Sequence, residues 1–177
     1  EGVDLCGQKV TLLGTGGAGI AVLVQLALDG AREVAVFERA GSRFHARTAR
    51  VVSELNERTH CHVTVFDYDD VVMQQQISES GLLINATNVG MAPNTDACII
   101  KDASWLTQRA DGISAPLIVS DVIYNPRKTK LLKMADACGL KSFNGINMLL
   151  YQGAAAFELW TGEKMPTENI KAKFFSD

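Results

Sequence analysis

The sequence has 177 residues, of which 47% are hydrophobic and 21% charged, and both values are typical of one soluble globular domain. The net charge of −3 argues against a protein that binds nucleic acid through its phosphate backbone, because such binding needs a basic surface. No apolar run is long enough to span a membrane, and residues 1–4 do not resemble a signal peptide, so we expect a cytoplasmic protein.

Strand-like and helix-like segments alternate along the chain, beginning with a strand at residues 9–13 (KVTLL) and a helix at 17–29. Further strands are predicted at residues 33–37, 62–66, 81–86, 116–121 and 141–144. Helices are predicted at residues 42–58, 69–77, 129–137 and 147–161, with a short turn at 103–106 and a last helix opening at Pro166. This alternation predicts an α/β protein with a Rossmann-type, doubly wound, mostly parallel six-stranded sheet and helices on both faces. We expect residues 1–177 to form one dinucleotide-binding domain, with C-terminal helices over 146–177.

A glycine-rich loop at residues 14–19 (GTGGAG) has the spacing Gly-x-Gly-x-x-Gly, directly after the first predicted strand. In a Rossmann fold Gly14 would permit the tight turn, Gly16 the approach of a pyrophosphate, and Gly19 the close packing of the helix. The N–H groups at the helix N-terminus would bind the phosphates. We therefore predict a dinucleotide site, and the alternative is a structural turn that binds nothing. Its residues would be Gly14, Thr15, Gly16, Gly17, Ala18 and Gly19.

Glu38 directly follows the second predicted strand, where Rossmann folds place an acidic residue against the adenosine ribose. A carboxylate there favours NAD, because it repels the 2′-phosphate of NADP. The neighbouring Arg39, and Arg43 further along, could instead hold that phosphate through a guanidinium. We predict that Glu38 and Arg39 contact the cofactor, that the cofactor is NAD or NADP with NAD favoured, and that Arg47 lies on a solvated helix face.

The four cysteines are widely spaced and include no Cys-x-x-Cys pair, so they predict reduced, mostly buried thiols. The three histidines fall on predicted helix or strand surfaces and are assigned no chemistry. The sequence therefore predicts no metal site.

Three stretches in the second half of the chain carry a more specific pattern. They are residues 84–91 (INATNVGM), residues 121–126 (DVIYNP) with 129–132 (TKLL), and residues 145–154 (GINMLLYQGA) continuing to 160–162 (WTG). Together with the glycine loop, they resemble the shikimate dehydrogenase family, particularly its quinate/shikimate branch. The resemblance implies reversible hydride transfer between a nicotinamide cofactor and a cyclic hydroxy acid, in the shikimate pathway of aromatic amino acid biosynthesis. Shikimate would give 3-dehydroshikimate, and quinate would give 3-dehydroquinate.

The resemblance also implies roles for single residues around the nicotinamide. Asn85, Ala86 and Thr87 would lie beside the cofactor, with Thr87 near the nicotinamide ribose. Gly145 would offer its backbone carbonyl to the nicotinamide amide, and Met148 would lie against the ring.

Two residues are implied to contact the substrate. Tyr124 would stand near the substrate carboxylate or the nicotinamide, and Gln152 would reach a substrate hydroxyl. Gln152 is also unusual as a polar residue in an apolar helix, and a buried amide needs partners, which favours a ligand contact.

Oxidation of a secondary alcohol needs a base for the hydroxyl proton. Family members carry a catalytic Lys–Asp pair in an N-terminal substrate domain that this sequence does not match, so we predict no catalytic residue in this chain. We expect the natural protein to be longer, and this chain to bind the dinucleotide without turnover. The expected partner is the small-molecule substrate, with a homodimer possible through the apolar helix at 147–161. The alternatives are a stand-alone NAD(P)-binding sensor or partner module of the same fold, and a different Rossmann enzyme such as a methylene-tetrahydrofolate dehydrogenase or an S-adenosylmethionine-dependent methyltransferase.

Overall fold

A computed structural model describes residues 2–175 of the chain. In this part of the chain six parallel strands form one sheet in the order β3-β2-β1-β4-β5-β6, which confirms the predicted α/β class. The strands are β1 (Lys9–Leu13), β2 (Glu33–Glu38), β3 (His62–Asp67), β4 (Leu82–Asn85), β5 (Ile118–Asp121) and β6 (Ser142–Phe143). The helices are α1 (Gly17–Leu28), α2 (His45–Arg58), α3 (Asp70–Glu79), α4 (Ser104–Thr107), α5 (Lys130–Ala137), α6 (Ile146–Thr161) and α7 (Thr167–Ile170), and a π-helical turn (Lys171–Phe175) follows α7.

Strand β1 lies at the centre of the sheet, and its five residues are all buried, as in a parallel strand covered by helices on both faces. It pairs with β2 as far as Leu13↔Phe37 and with β4 as far as Leu13↔Asn85. The carboxyl ends of β1, β2 and β4 therefore lie side by side. The strand order reverses between β1 and β4, which is where doubly wound sheets bind ligands.

Two apolar clusters join the sheet to its helices. Leu23 of α1 and Leu55 of α2 belong to one cluster, whereas Ile77 of α3 and Leu131 of α5 belong to the other. Neighbouring residues of a strand alternate between the clusters because successive side chains point to opposite faces. The helices on both faces thus hold the carboxyl ends of the strands in fixed positions.

Most predicted boundaries are within one or two residues of the observed ones, and the start of α2 differs by three for an identifiable reason. Helix α2 begins at His45 instead of residue 42, because Ser42 forms a turn in which its hydroxyl accepts a hydrogen bond from Phe44 N at 3.1 Å. Pro166 precedes α7 instead of opening it.

The expectation of mostly buried thiols is wrong. Cys61 is buried, Cys98 and Cys138 are half-buried, and Cys6 is exposed, with all four free. Only one of the four thiols is therefore buried in the core.

Helix α6 is the least buried of the long helices. Leu150 is buried, but Leu159 and Trp160 near its end are 84% and 83% exposed. The helix ends at Gly162 in the left-handed conformation, as the sequence predicts. Between residues 2 and 175, no helix combines the length and the hydrophobicity that crossing a bilayer requires.

Candidate functional site

Two adjoining cavities open at the carboxyl end of the sheet, with volumes of about 950 Å³ and about 430 Å³. Both are lined by Gly16 and by residues 86–88, so they meet over the N-terminus of α1. The larger cavity extends past the end of β2, and the smaller one extends towards the loop after β5. An elongated ligand lying across both would cross the point at which the strand order reverses.

The glycine loop has the backbone conformation that its spacing predicts. Gly14 has a φ of +97°, and a side chain there would come within 2.7 Å of the Thr87 methyl group. A Cβ atom on Gly19 would lie 2.2 Å from the Gly14 carbonyl oxygen, so α1 can approach the loop only with glycine at this position. Gly16 and Gly17 differ from these two, because a Cβ atom on either would meet nothing within 4 Å. The space above them is therefore open to a ligand.

Glu38 is the last residue of β2, not the first residue after it, and its side chain is buried. Its Oε1 accepts hydrogen bonds from the Thr15 hydroxyl and, at 3.0 Å, from the Thr48 hydroxyl. Its Oε2 lies 3.2 Å from His45 Nδ1. Burial raises the pKa of Glu38, but hydrogen bonds from Thr15, Ser42, Thr48 and His45 outweigh it, so the pKa lies below its ordinary value. Glu38 is thus an ionised centre that ties the glycine loop to α2, and His45 contacts it although the sequence indicated no role.

The expectation that Arg47 lies on a solvated face is wrong. Its Nη2 donates a hydrogen bond to the Thr15 carbonyl oxygen at 2.6 Å, and its guanidinium lies 4.7 Å from the centre of the Phe44 ring. The guanidinium of Arg43 lies at the same distance from that ring. Arg39 and Arg43 are exposed and line the larger cavity. Arg47 therefore braces the loop, whereas Arg39 and Arg43 give the cavity a cationic edge.

Asn85 ends β4 with its side-chain amide fully engaged. Its Nδ2 donates to Val89 O at 3.2 Å and to Asp121 Oδ1 at 3.1 Å. Its Oδ1 accepts from the Thr87 amide at 3.1 Å and from the Thr87 hydroxyl at 2.7 Å. An amide side chain has two donor hydrogens and two acceptor lone pairs, so no further capacity remains. Asn85 therefore shapes the loop, while Ala86 and Thr87 line both cavities.

Asp121 ends β5 and is a residue to which the sequence assigned no role. Its side chain is 0% exposed, and it accepts hydrogen bonds from Ile123 N at 3.0 Å, Asn85 Nδ2 at 3.1 Å and Thr129 Oγ1 at 2.8 Å. Burial raises the pKa of Asp121, and the three hydrogen bonds offset this only in part. The sequence does contain a signal for this role. Asp121 ends an apolar run, and Thr129, which becomes the N-cap of α5, follows eight positions later.

Gly145 and Met148 lie at the start of α6. Gly145 is required there, because a Cβ atom would lie 1.9 Å from the Val122 carbonyl oxygen. The Gly145 carbonyl, predicted to bind a nicotinamide amide, accepts the N–H of Leu149 at 2.9 Å, which leaves one of its two lone pairs. Met148 is half-buried in the first turn of α6.

The two residues implied to contact a substrate are both exposed. Tyr124 lines the smaller cavity with 49% of its surface accessible. Gln152 is exposed on α6, so the premise that it is a buried amide is wrong. Its predicted contact with a substrate depends on the family resemblance alone. Among residues 2–175, no group of three or more His, Cys, Asp or Glu side chains is placed to hold a metal ion.

Relatives with assigned names match almost the entire chain. The shikimate dehydrogenase (NADP(+)) of Listeria innocua is 41% identical over 175 residues, which cover 98% of this chain and 57% of the relative. The shikimate dehydrogenase (NADP(+)) of Streptococcus uberis is 44% identical over 179 residues, which cover 100% and 58%. Over nearly its whole length, the chain is similar to members of the shikimate dehydrogenase family. It spans somewhat more than half the length of these shikimate dehydrogenases.

Two further comparisons support the same family. The family model described as "Shikimate 5'-dehydrogenase C-terminal domain" matches residues 145–173. The crystal structure of shikimate 5-dehydrogenase from Listeria monocytogenes, in complex with shikimate and NAD, has a TM-score of 0.84 at 40% identity, covering 97% of this chain and 57% of that chain. Quinate dehydrogenase from Corynebacterium glutamicum, in complex with NAD, has a TM-score of 0.76 at 27% identity, covering 97% and 56%.

Proposed function

We propose that this chain is the cofactor-binding domain of an NAD(P)-dependent shikimate dehydrogenase, which oxidises shikimate reversibly to 3-dehydroshikimate. One observation carries the proposal: the glycine loop begins α1 beneath the cleft, at the reversal of strand order, in a chain that matches named shikimate dehydrogenases over 98% of its length. Quinate, giving 3-dehydroquinate, is a second candidate substrate because of the likeness to a quinate dehydrogenase.

The N-terminus of α1 fits a pyrophosphate. The helix has twelve residues, no side-chain cap on its first N–H groups, and no acidic residue in its first turn. The helix dipole therefore favours an anion there, and the open space above Gly16 and Gly17 admits one. The dinucleotide, when bound, would supply the nicotinamide carbon that exchanges a hydride with the substrate. Residues 14–19 would hold its phosphates.

The preference for NAD over NADP depends on where the Glu38 carboxylate lies. The predicted preference for NAD required the Glu38 carboxylate to face the ribose, but that carboxylate is buried and hydrogen-bonded to Thr15 and Thr48. The exposed guanidiniums of Arg39 and Arg43 line the same cavity and attract a 2′-phosphate. We therefore propose that the chain binds both nucleotides and binds NADP more tightly.

The nicotinamide would lie in the smaller cavity, beside residues from three loops. Thr87 can accept one further hydrogen bond, because its hydroxyl donates to Asn85 and accepts only from Val89 N. The Gly145 carbonyl has one lone pair left for the nicotinamide amide, with Met148 beside the ring. Tyr124 and Gln152 would contact the substrate.

We infer that the base for the hydroxyl proton comes from outside this cleft. The residues that line the two cavities, all within the described part of the chain, include neither a lysine nor an aspartate. We therefore propose that this chain binds the cofactor and does not oxidise shikimate by itself. The chain alone, mixed with shikimate and NADP+, should form no NADPH. Formation of NADPH would contradict this part of the proposal.

Calorimetric titration with NADP+ and NAD+ tests the binding proposal, with Gly16→Asp as the informative variant. Its side chain has room in the fold but places a negative charge where the phosphates would lie, so affinity should fall roughly 100-fold. The matched control is Gly153→Asp on α6, where a Cβ atom also meets nothing within 4 Å, and its affinity should be unchanged. The proposal fails if the unmodified chain binds neither nucleotide, or if both variants bind equally well.

A further inference from the structure

The carboxylate of Asp121 joins three chain segments, two of which continue into residues that line the smaller cavity. It accepts one hydrogen bond from Asn85 at the end of β4, one from the Ile123 amide in the loop after β5, and one from Thr129 at the N-cap of α5. The side chain is 0% exposed, so bulk solvent does not reach these contacts. The carboxylate therefore joins all three segments, in addition to the backbone bond from Val122 N to Asn85 O at 2.9 Å that links two of them.

Asn85 extends this network into the opposite wall of the cavity. Its oxygen accepts both the amide and the hydroxyl of Thr87, and its nitrogen donates to the Val89 carbonyl as well as to Asp121. The Thr87 hydroxyl in turn accepts from Val89 N at 3.1 Å. The conformation of residues 85–89 thus depends on an amide that Asp121 orients.

The network controls both sides of the smaller cavity. Thr87 and Asn88 line one side, and Ile123, Tyr124 and Asn125 line the other. We propose that Asp121 is a positioning residue that sets the distance between these two walls and so determines how the nicotinamide half of the dinucleotide is held. This inference rests on the proposed function, because it assumes that the smaller cavity receives the nicotinamide.

The adenosine half should depend less on this network. Residues 86–88 line both cavities, but the end of the larger cavity beyond β2 is held by a separate set of contacts, in which Glu38 binds Thr15 and Thr48, and Arg47 binds the Thr15 carbonyl. Loss of the Asp121 contacts should therefore weaken ligands that reach the nicotinamide cavity and spare ligands that stop at the phosphates. A purely structural role would weaken both.

Asp121→Asn keeps the shape of the side chain but replaces one acceptor oxygen with a donor. If that donor faces Thr129, it meets a hydroxyl that already accepts the N–H of Leu132 as the helix cap, so the hydroxyl hydrogen loses its acceptor. If it faces Ile123 and Asn85 instead, two donors oppose it. The first orientation loosens one of the three attachments, and the second loosens two. Thr129→Val deletes the hydroxyl and so removes the attachment of Asp121 to α5. Thr129→Ser retains the hydroxyl and this attachment.

The test compares calorimetric affinities for NADP+ and for the fragment adenosine 2′-phosphate 5′-diphosphate, which ends at the phosphates and lacks both the nicotinamide and its ribose. For Asp121→Asn and Thr129→Val we expect at least tenfold weaker binding of NADP+ and less than twofold change for the fragment. Thr129→Ser, which keeps the hydroxyl, should bind NADP+ with the affinity of the unmodified chain. The matched control is Thr11→Val, which removes a buried hydroxyl bonded to Ser80 at 2.8 Å elsewhere in the sheet and should change neither affinity.

Two results would overturn the inference while leaving the proposed function intact: equal weakening of both ligands by Asp121→Asn, or unchanged affinity for NADP+ in both Asp121→Asn and Thr129→Val. Absence of binding of either ligand to the unmodified chain would reject the proposed function, and the inference with it. The unmodified chain therefore separates the two failures.

Discussion

Two buried carboxylates end strands of the same parallel sheet, and their surroundings shift their pKa values in opposite directions. Glu38 ends β2 and Asp121 ends β5, with exposed fractions of 3% and 0%. Both accept hydrogen bonds from threonine hydroxyls. The pKa of Glu38 is lowered because the hydrogen bonds outweigh burial, whereas the pKa of Asp121 is raised because burial outweighs the hydrogen bonds.

The difference follows from what lies next to each group. Glu38 adjoins the larger cavity and has four side-chain donors, including the exposed imidazole of His45. Asp121 is enclosed and has three donors, one of them a backbone amide. A position at the carboxyl end of a strand therefore does not decide the direction in which the pKa of an acidic residue shifts. The number of donors and the access of solvent decide it.

The largest expected effect comes from removing each carboxylate. Asp121→Ala should lower the free energy of unfolding by about 3 kcal/mol, because enclosed donors on Ile123 and Asn85 lose their acceptor, at about 1–3 kcal/mol each. Glu38→Ala should cost less, about 1–2 kcal/mol, because Thr15 lines the adjoining cavity, where water can replace the carboxylate, and the Thr48 hydroxyl keeps the Phe44 carbonyl as an acceptor at 3.1 Å. Urea unfolding of the two variants measures both values. Equal costs, or a greater cost for Glu38→Ala, would contradict the contrast in enclosure.

A smaller effect should separate two arginines of α2. Arg47→Ala removes a charged donor from the Thr15 carbonyl and the contact with the Phe44 ring, and should cost about 1–2 kcal/mol of unfolding free energy. Arg50 is exposed on the same helix, and Arg50→Ala should stay within about 0.5 kcal/mol. Urea unfolding compares them, and the affinity for NADP+ should fall only in Arg47→Ala. If both variants unfold alike, Arg47 does not brace the glycine loop.

The sequence was sufficient for features that depend on local pattern. Alternating apolar segments identified all six strands, and the glycine spacing located the turn in which Gly14 takes a positive φ and Gly19 packs against it. These features depend on residues that are close in sequence, or on burial that every strand of a covered parallel sheet shares. The predicted fold therefore needed few corrections.

Contacts between distant residues could not be read in the same way. Arg47 reaches Thr15 across 32 positions, and Asp121 reaches Asn85 across 36, so neither bond leaves a pattern within one element. For Gln152 the local pattern was misleading. A polar residue in an apolar helix is buried only if other segments cover the helix, and most of α6 is exposed. Prediction from the sequence failed for residues whose burial or contacts depend on the segments that pack against their helix or strand.

The smallest expected effect, on the pH dependence of stability, tests the opposite pKa shifts directly. The lowered pKa of Glu38 contributes stability that is present above its ordinary value of 4.5 and is lost as the pH falls below it. The raised pKa of Asp121 has the reverse sign, because the folded state holds the proton more tightly, so its contribution falls as the pH rises above 3.8. Glu38→Gln should therefore flatten the loss of stability on acidification, and Asp121→Asn should flatten the loss on raising the pH. Unfolding free energies of the three proteins, measured by urea from about pH 2 to about pH 8, give the two slopes relative to the unmodified chain. If both variants change the slope in the same direction, the pKa values of the two carboxylates are not shifted in opposite directions, and the contrast between the ionised centre at β2 and the enclosed brace at β5 must be abandoned.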